Sequence, residues 1–260
     1  MKKTALITGA CINTGVAIVE KFASEGYDVV FTGRSPENVA ASEERYREKF
    51  PAVSIKGYTA SSLTEEGLVD EQGVADLFHA LDKDGIFIET LVLNAADQGL
   101  NIKIFENGLA DFMRVLNTNV VWNYCICEHA AKRMKEKGTG NIVFVNSNTA
   151  YRAIPDRIAY VTSKGGQLGL MRALALDLGQ YGIRVNAVLP GMIRTDRWMK
   201  NPQFYENVPS RYTPIGDVAD GADIADAIYY FAAHARNTTG AELVVDGGNT
   251  IQLYPIIPEK

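Results

Sequence analysis

Seven short apolar runs alternate with helix-length segments along this chain of 260 residues. The runs lie at 5–7, 29–31, 53–55, 91–93, 142–145, 183–188 and 243–245. Between them, apolar residues recur at three- and four-residue spacings, most clearly in 16–24, 112–135 and 166–178. Alternating strands and helices predict an α/β fold: a mainly parallel, doubly wound sheet of about seven strands with helices on both faces.

The chain is long enough for one well-buried core, since 47% of its residues are hydrophobic. No Pro/Gly/Ser-rich linker divides it, so we expect a single domain over 1–260.

Two segments interrupt the alternation of strands and helices. Segment 59–73 is polar and longer than a tight loop needs, which indicates an inserted turn. Segment 192–214 carries several large apolar side chains, namely Trp198, Met199, Phe204, Tyr205 and Tyr212. We expect it to form a substrate lid, or else a loop packed on the surface or against a partner subunit.

Composition excludes several classes of protein. A net charge of -5 and no block of five basic residues argue against nucleic acid as a partner. No apolar run reaches the roughly 18 residues of a membrane span, and the apolar stretch after Lys2-Lys3 is broken too early for a signal peptide. Three cysteines form no even disulfide set, and no metal-ligand spacing is visible. We therefore expect a cytoplasmic protein with no metal and no membrane partner.

Tyr160 and Lys164 lie four residues apart in a helical segment, which places them on one helix face. An ammonium beside a phenol favours the phenolate. Bringing the pKa of a tyrosine from about 10 to about 7 takes roughly 4 kcal/mol, which one charge at about 4 Å supplies at an effective dielectric near 20. Ser147 lies 13 residues before Tyr160, at the end of an apolar run, where it can donate to a substrate oxygen. Taken alone, each feature has a purely structural interpretation: Tyr160 and Lys164 as a surface pair, and Ser147 as a packed residue at the end of a strand.

A glycine-bearing turn, Thr8-Gly9-Ala10-Cys11-Ile12-Asn13-Thr14-Gly15, joins the first strand to the first helix. Backbone N–H groups and the helix dipole at such a position favour a phosphate. Asn13 stands where a third glycine is expected, and asparagine tolerates left-handed backbone better than other non-glycine residues. The position of the turn after a strand and before a helix predicts a dinucleotide site.

These motifs together resemble the short-chain dehydrogenase/reductase family over essentially the whole chain. The resemblance rests on Thr8-Gly9-x5-Gly15, Leu93-Asn94-Ala95-Ala96, Asn119, Ser147, Tyr160-x3-Lys164 and Pro190-Gly191. It implies a Rossmann-like fold, a nicotinamide cofactor and reversible hydride transfer between the nicotinamide and a carbonyl or secondary alcohol. Tyr160 would be the acid/base, Ser147 would orient the substrate oxygen, and Lys164 would hold the ribose and lower the pKa of Tyr160. Asn119 would support a proton-relay water.

The resemblance also implies a set of cofactor-binding residues. They are Thr8, Gly9, Cys11, Asn13, Thr14, Gly15, Arg34, Ser35, Asn94, Ala95, Tyr160, Lys164, Pro190, Gly191, Ile193 and Thr195. Three positions depart from the family pattern. Asn13 and Ala96 replace glycines, and Ala60-Ser61-Ser62 stands where the family has an aspartate that contacts the adenine, which puts that contact in doubt.

The second strand decides between NAD and NADP. An acidic residue at its end binds the 2′-hydroxyl of NAD, whereas a basic residue accepts the 2′-phosphate of NADP. The chain has Gly33-Arg34-Ser35 there, and a guanidinium pairs well with phosphate. We expect NADP(H) to be favoured, with NAD(H) possible; in the alternative, Arg34 only stacks on the adenine or faces solvent.

Two other functions stay open. One is an enoyl thioester reductase of the same fold, and the other is a non-catalytic protein that senses the nicotinamide ratio. The substrate is left undecided: it would be set by the lid and by residues around the tetrad, namely Asn148, Thr149, Tyr151, Arg152 and Arg157. The resemblance implies a homo-oligomer, a dimer or tetramer, through 112–135 and 160–178, and the apolar tail 251–258 could reach a neighbouring subunit.

Overall fold

The computed structural model describes residues 2–100, 102–106, 108–200, 202 and 208–255. Its strands are β1 (Thr4–Ile7), β2 (Asp28–Gly33), β3 (Ile55–Thr59), β4 (Thr90–Leu93), β5 (Gly140–Val145), β6 (Ile183–Pro190) and β7 (Glu242–Val245). Its helices are α1 (Asn13–Ser24), α2 (Pro36–Lys49), α3 (Glu71–Lys83), α4 (Leu109–Leu116), α5 (Trp122–Lys137), α6 (Ile158–Gly179), α7 (Asp196–Lys200), α8 (Val208–Tyr212) and α9 (Gly221–Ala233). A π-helical turn covers Asn117–Val121, and 3-10 turns cover Asn148–Ala150 and Asn249–Ile251.

All seven strands are parallel, in the order β3-β2-β1-β4-β5-β6-β7. The predicted α/β, Rossmann-like fold class is therefore confirmed. Because β1 pairs with both β2 and β4, the order of the strands reverses at β1. Ligands of open α/β sheets bind at the carboxyl ends of the strands beside such a reversal.

Two apolar layers cover the sheet. Successive side chains of a strand point to opposite faces, and β1 shows this: Leu6 packs with α3, α5 and α6, whereas Ala5 and Ile7 pack with α1, α2 and α9. Both layers hold fully buried aromatic rings, such as Phe78 on the first face and Phe22 on the second. Helices on both faces explain why the strands are nearly continuous in hydrophobicity.

The third strand and the long central helix differ from the predicted elements. β3 begins at Ile55, where the apolar run ends, because Val53 still belongs to the turn after α2, in which its N–H donates to the carbonyl of Phe50. This edge strand is half-buried over most of its length. The helix expected over 112–135 is α4 followed by the π-helical turn and α5. A π turn inside a helix shifts every later side chain around the axis, and such turns are frequent at functional sites.

The two irregular segments are present. In 59–73, an antiparallel bridge joins Leu63 to Val69 around a tight turn before α3, which confirms an inserted turn. In 192–214, α7 carries a half-buried Trp198 and an exposed Met199, and α8 ends at an exposed Tyr212. Phe204 and Tyr205 lie outside the described residues, and the lid role of this segment stays a prediction.

None of the helices in the described ranges is long and apolar enough to cross a membrane. Among the same residues, no group of three or more His, Cys, Asp or Glu side chains is placed to hold a metal ion. The three cysteines are free thiols.

Candidate active site

The predicted site residues gather at one edge of the sheet. Thr8 follows β1, Arg34 follows β2, Asn94 follows β4, Ser147 lies two residues after β5, and Gly191 follows β6. Carboxyl ends of parallel strands meet at the same edge, so the topology brings these segments together around the reversal at β1.

The turn after β1 requires its glycines. Gly9 has φ 65°, and a Cβ there would lie 2.9 Å from the Cα of Ala95. A Cβ on Gly15 would lie 2.6 Å from the Cα of Ala10. Asn13 has φ 49°, which confirms the expectation that asparagine takes the left-handed position of a glycine.

Two side chains lock this turn to the loop after β4. The Asn94 Nδ2 donates to the carbonyl oxygens of Thr8 and Gly9, both at 3.0 Å. In return, the Thr8 Oγ1 accepts the N–H groups of Asn94 and Ala95, both at 3.0 Å. Thr8 and Asn94 therefore shape the turn by contacts within the protein.

The start of α1 fits a phosphate group. Ile12, the residue before the helix, gives no side-chain cap, and the first turn holds no acidic residue. The helix dipole and the first N–H groups are therefore not neutralised by a side chain, as an anion requires. Thr14 is half-buried in this first turn. The Cys11 side chain packs against Gly33, and a Cβ on Gly33 would lie 2.4 Å from the Cys11 Sγ. The residues present thus fit the pyrophosphate of a dinucleotide.

The end of β2 presents charges of both signs. Arg34 is exposed. Ser35 caps α2, accepting the N–H of Asn38 at 3.3 Å, and its hydroxyl donates to the Glu37 carboxylate. The Arg34 guanidinium can therefore pair with a phosphate, whereas the carboxylate of Glu37, three residues later, would repel a phosphate.

The segment after β6 returns to the turn. The Gly191 N–H donates to the carbonyl of Val245 at 2.9 Å, just after Pro190 ends the strand. Ile193 forms an isolated parallel bridge with the loop before α9, and Thr195 directly precedes α7. The first N–H of α7 donates to the Asn13 Oδ1 at 3.4 Å, so this segment closes over the turn.

Ser147 lies within hydrogen-bonding reach of Tyr160, close enough for its hydroxyl to favour the phenolate. The Ser147 Oγ also accepts the N–H of Thr149 at 3.2 Å and its hydroxyl at 2.9 Å. Because Thr149 supplies two donors to one oxygen, the hydrogen of the Ser147 hydroxyl is left to point at the phenol. Thr149 thereby prepares Ser147 as a donor.

The pKa of Tyr160 is raised above its ordinary value. Burial is the main cause, and the Ser147 hydrogen bond and the Arg157 charge oppose it. This differs from the direction expected from the Tyr/Lys spacing. The Lys164 Nζ lies over the ring, 5.5 Å from its centroid, but it donates to Val145 and Gln167. Burial lowers the pKa of Lys164 to about 7, so its charge does not contribute to the pKa of Tyr160.

Lys164 is almost completely buried, with 2% of its surface exposed. Its Nζ donates to the carbonyl of Val145 at 3.0 Å and to the Gln167 Oε1 at 3.1 Å. Loss of hydration on burial lowers its pKa from 10.5 to about 7. At neutral pH this lysine is therefore poised between its charged and neutral forms.

Asn119 sits in the π-helical turn and is fully buried. Its side chain holds the backbone of Asp97, with Oδ1 accepting at 2.7 Å and Nδ2 donating at 2.8 Å, and Nδ2 also donates to Ser163. Its carbonyl accepts the Gln167 Nε2 at 2.6 Å and the Asn123 Nδ2 at 2.8 Å. The relay water implied at Asn119 stays a prediction.

The residues that sequence reasoning missed are the polar supports of the tetrad, above all Gln167 and Asn146. The Asn146 Nδ2 donates to the carbonyl of Lys164 at 3.0 Å, and its Oδ1 accepts the N–H of Ser147 at 2.6 Å. One signal was available for Gln167. It follows Lys164 by three residues and therefore lies on the same helix face. The other buried residues of that helix are mostly small or apolar, so a glutamine among them indicates a polar partner.

The residues expected to choose the substrate are engaged within the chain. Asn148, Tyr151 and Arg152 all hydrogen-bond to segment 242–252. Arg157 donates to the loop after β4, at the carbonyl of Gln98, at 2.8 Å. The C-terminal segment therefore forms one wall next to Ser147.

Comparison with known proteins gives matches over most of the chain. A family model described as "Enoyl-(Acyl carrier protein) reductase" matches residues 9–250. The NADP-dependent (R)-specific alcohol dehydrogenase of Lentilactobacillus kefiri is 32% identical over 256 residues, which cover 96% of this chain and 97% of that protein. The structure of ElxO with NADP bound has a TM-score of 0.85 at 29% identity, covering 97% of this chain and 100% of that one. NAD+-bound xylitol dehydrogenase has a TM-score of 0.83 at 27% identity, covering 95% and 98%.

Proposed function

Because the chain belongs to the short-chain dehydrogenase/reductase family, as an NAD(P)-dependent oxidoreductase of alcohols and carbonyl compounds, we propose that Tyr160 is its acid/base. The observation that carries the proposal is the grouping of three side chains: Ser147 lies within hydrogen-bonding reach of Tyr160, and the buried Lys164 has its Nζ 5.5 Å from the centroid of the Tyr160 ring. These three side chains lie at the carboxyl edge of the sheet, where the turn after β1 fits a dinucleotide.

The protein groups divide the work. The nicotinamide, when bound, donates or accepts the hydride at the substrate carbon. Tyr160 gives the substrate oxygen its proton in reduction and takes it in oxidation. Ser147, oriented by Thr149, donates to the same oxygen and stabilises negative charge that develops there. Lys164 would hold the ribose and, in its charged form, would place a positive charge behind the phenol.

The raised pKa of Tyr160 favours one direction at neutral pH. A phenol that keeps its proton is ready to act as an acid, so carbonyl reduction starts from the prevailing form. Alcohol oxidation needs the phenolate and therefore gains from higher pH. Both directions use the same residues, so the sign of the pH dependence reports on Tyr160.

We propose NADP(H) as the preferred cofactor. Exposed Arg34 supports this, because a guanidinium pairs with a 2′-phosphate and no carboxylate occupies Gly33 or Arg34. Glu37 weakens the preference, because its carboxylate accepts from the hydroxyl of Ser35, the residue next to Arg34, and would repel a phosphate there. A relative that depends on NADP and a solved structure with NAD+ bound are both similar to this chain.

Equilibrium titration with NADPH and with NADH, followed by protein fluorescence, tests the cofactor. We expect tighter NADPH binding, and we expect Arg34→Ala to remove most of the difference while leaving NADH binding unchanged. Equal or NADH-favoured binding to the unaltered protein would overturn the preference. Binding of neither would favour a protein that does not use this cofactor.

Tyr160→Phe tests the chemistry. We expect it to abolish turnover of alcohols and ketones and to leave the affinity for the cofactor within a few-fold. An active Tyr160→Phe protein would remove Tyr160 from the mechanism. Cofactor binding by the unaltered protein with no turnover of any substrate would favour the sensing alternative.

The description of the matching family model supports a second candidate, reduction of a carbon–carbon double bond in an acyl thioester. An enoyl thioester and the corresponding 3-oxoacyl thioester, assayed side by side with NADPH, separate the two reactions. We expect consumption of the 3-oxo compound only.

We also propose a homo-oligomer. Large apolar side chains on consecutive elements are exposed, including Met113, Val121, Tyr124 and, on α6, Leu176, which is 83% exposed. Exposed apolar patches of this kind mark interaction sites. Sedimentation equilibrium of the unaltered protein and of Leu176→Glu tests the proposal: we expect a dimer or tetramer that the substitution weakens, and a monomer in both would overturn it.

A further inference from the structure

A buried polar cluster lies behind Tyr160, made of Lys164, Gln167, Asn146 and Asn119. None of the four side chains is more than 4% exposed. Gln167 is at the centre, because it contacts all three others. Its Oε1 accepts from Lys164 at 3.1 Å and from Asn146 at 3.2 Å, and its Nε2 donates to the carbonyl of Asn119 at 2.6 Å.

These partners allow only one orientation of the Gln167 amide. Two donors, the Lys164 ammonium and the Asn146 Nδ2, converge on one end, and an acceptor, the Asn119 carbonyl, meets the other. A flipped amide would place N–H groups against N–H groups and an oxygen against an oxygen. The oxygen facing Lys164 is therefore held in place rather than free to rotate.

Lys164 has no charged partner among the residues described. On its own helix the nearest titratable group is Tyr160, whose ring centroid is 5.5 Å from the Nζ. From β5 and the π-helical turn, the groups that face the cluster are neutral: the carbonyl of Val145, Asn146 and Asn119. Burial is the only cause of the shift in the pKa of Lys164, and no carboxylate or guanidinium contributes to it.

We propose that Gln167 is a positioning residue for Lys164: its side-chain oxygen holds the buried ammonium, and its amide nitrogen anchors that oxygen to the backbone of Asn119. The proposal rests on the proposed function, in which Lys164 acts behind Tyr160. The resemblance implies a relay water at Asn119. In the proposal, the side-chain amide of Gln167 occupies that position instead. Gln167 and Asn123 supply two donors to the Asn119 carbonyl, which has two lone pairs.

The proposal has a chemical consequence. A water passes protons by exchanging donor and acceptor roles, whereas an amide keeps its N–H groups. Gln167 therefore supports the ammonium without connecting it to a proton path at Asn119. Its contribution is to favour the charged form of Lys164, which burial disfavours.

Two substitutions separate this role from simple packing. Gln167→Met keeps an unbranched side chain of similar length but removes the oxygen. Gln167→Glu keeps an oxygen acceptor, either as a neutral acid that can still donate to Asn119 or as a carboxylate. Gln180→Met, the same change at an exposed position at the end of α6, is the matched control.

The first readout needs neither cofactor nor turnover. The protein is labelled with lysine carrying ¹³C at Cε, the Lys164 signal is assigned by its absence in Lys164→Met, and its midpoint is followed by NMR from pH 5 to 10. We expect the midpoint to fall by about one pH unit in Gln167→Met, as loss of one hydrogen bond to a charged group implies. In Gln167→Glu it stays or rises, and in Gln180→Met it does not change.

The second readout is the pH profile of carbonyl reduction. We expect the alkaline limb of kcat in Gln167→Met to move down by about one pH unit, with KM for the ketone little changed, and Gln167→Glu to restore it. If Gln167→Met fails to fold, Gln167→Glu decides alone: a midpoint below that of the unaltered protein contradicts the proposal.

The remaining outcomes are also decisive. Unchanged midpoints in folded Gln167→Met, or an equal fall in both variants, would show that Gln167 only fills space. If the midpoints move as expected but the unaltered protein turns over no alcohol or ketone, the proposed function fails, and the support of Lys164 by Gln167 stands as an electrostatic fact.

Discussion

Removing the buried charge of Lys164 changes how the stability of the protein depends on pH. The side chain is 2% exposed, and burial lowers its pKa from 10.5 to about 7. Between these two values the unfolded chain binds a proton that the folded protein does not. Stability of the unaltered protein therefore rises with pH across this window, and the full penalty is present below pH 7.

The size of the effect is set by the shift. About 3.5 pKa units correspond to about 5 kcal/mol of unfavourable burial at low pH, at 1.36 kcal/mol per unit. Integrated from pH 7 to pH 9, the unaltered protein gains about 2 kcal/mol relative to Lys164→Met, whose side chain does not titrate. The difference at any single pH also contains the hydrogen bonds to Gln167 and Val145, so its slope is the quantity to compare.

Urea unfolding of the cofactor-free proteins at several pH values between 6 and 9.5 measures this slope. Lys83→Met is the control, since Lys83 is exposed at the end of α3 and its ammonium is in water in both states. We expect the difference in unfolding free energy between the unaltered protein and Lys164→Met to change with pH. The corresponding difference for Lys83→Met should not change. A difference between the unaltered protein and Lys164→Met that is constant over this range would refute the reasoning, because it would mean that Lys164 keeps its hydration.

Four further outcomes test the site. Gly15→Ala places a Cβ 2.6 Å from the backbone of its own turn and should weaken both NADPH and NADH at least tenfold in fluorescence titrations, whereas Gly165→Ala, where a Cβ meets nothing within 4 Å, should not. Asn13→Ala should destabilise the protein by about 1 kcal/mol in urea because of the left-handed backbone, and Asn13→Gly should not. Glu37→Gln should tighten NADPH binding a few-fold and leave NADH unchanged in paired titrations; equal tightening of both would show that the carboxylate does not face the 2′ position. Alcohol oxidation should rise from pH 7 to pH 9 and carbonyl reduction should not, because the pKa of Tyr160 is raised; steady-state rates in both directions check the sign.

The sequence was sufficient for the order of the elements and for the motifs of the site. Buried parallel strands appear in a sequence as continuous apolar runs, and β5 and β6 were found within two residues of their observed bounds. The turn from Thr8 to Gly15 was recognisable because its glycines meet a local steric demand that no other residue type satisfies. Features set by neighbours in sequence, or by the period of a helix or strand, were therefore predictable.

The direction of the Tyr160 pKa was not predictable from spacing. Four residues bring Lys164 to the same helix face, but the Cβ positions do not say where a long flexible side chain ends. The Nζ is drawn to the carbonyl of Val145, which belongs to β5, and to Gln167, whose orientation depends on Asn119 in another helix. Burial then dominates both pKa values, because no carboxylate accompanies the lysine inward.

The π-helical turn at 117–121 shows why the supports of the site lie beyond sequence reasoning while its reactive groups do not. One extra residue in the turn rotates the rest of the helix about its axis, and Asn119 ends with its side chain on Asp97 and its carbonyl on Gln167. Each of these bonds joins residues at least 22 positions apart, so neither helical periodicity nor local propensity encodes them. They are satisfied only when the π-helical turn, α6 and the loop after β4 are in place together. A buried amide left unpaired costs about 1 to 3 kcal/mol, and this penalty makes the arrangement of Lys164 a property of the assembled core rather than of its own helix.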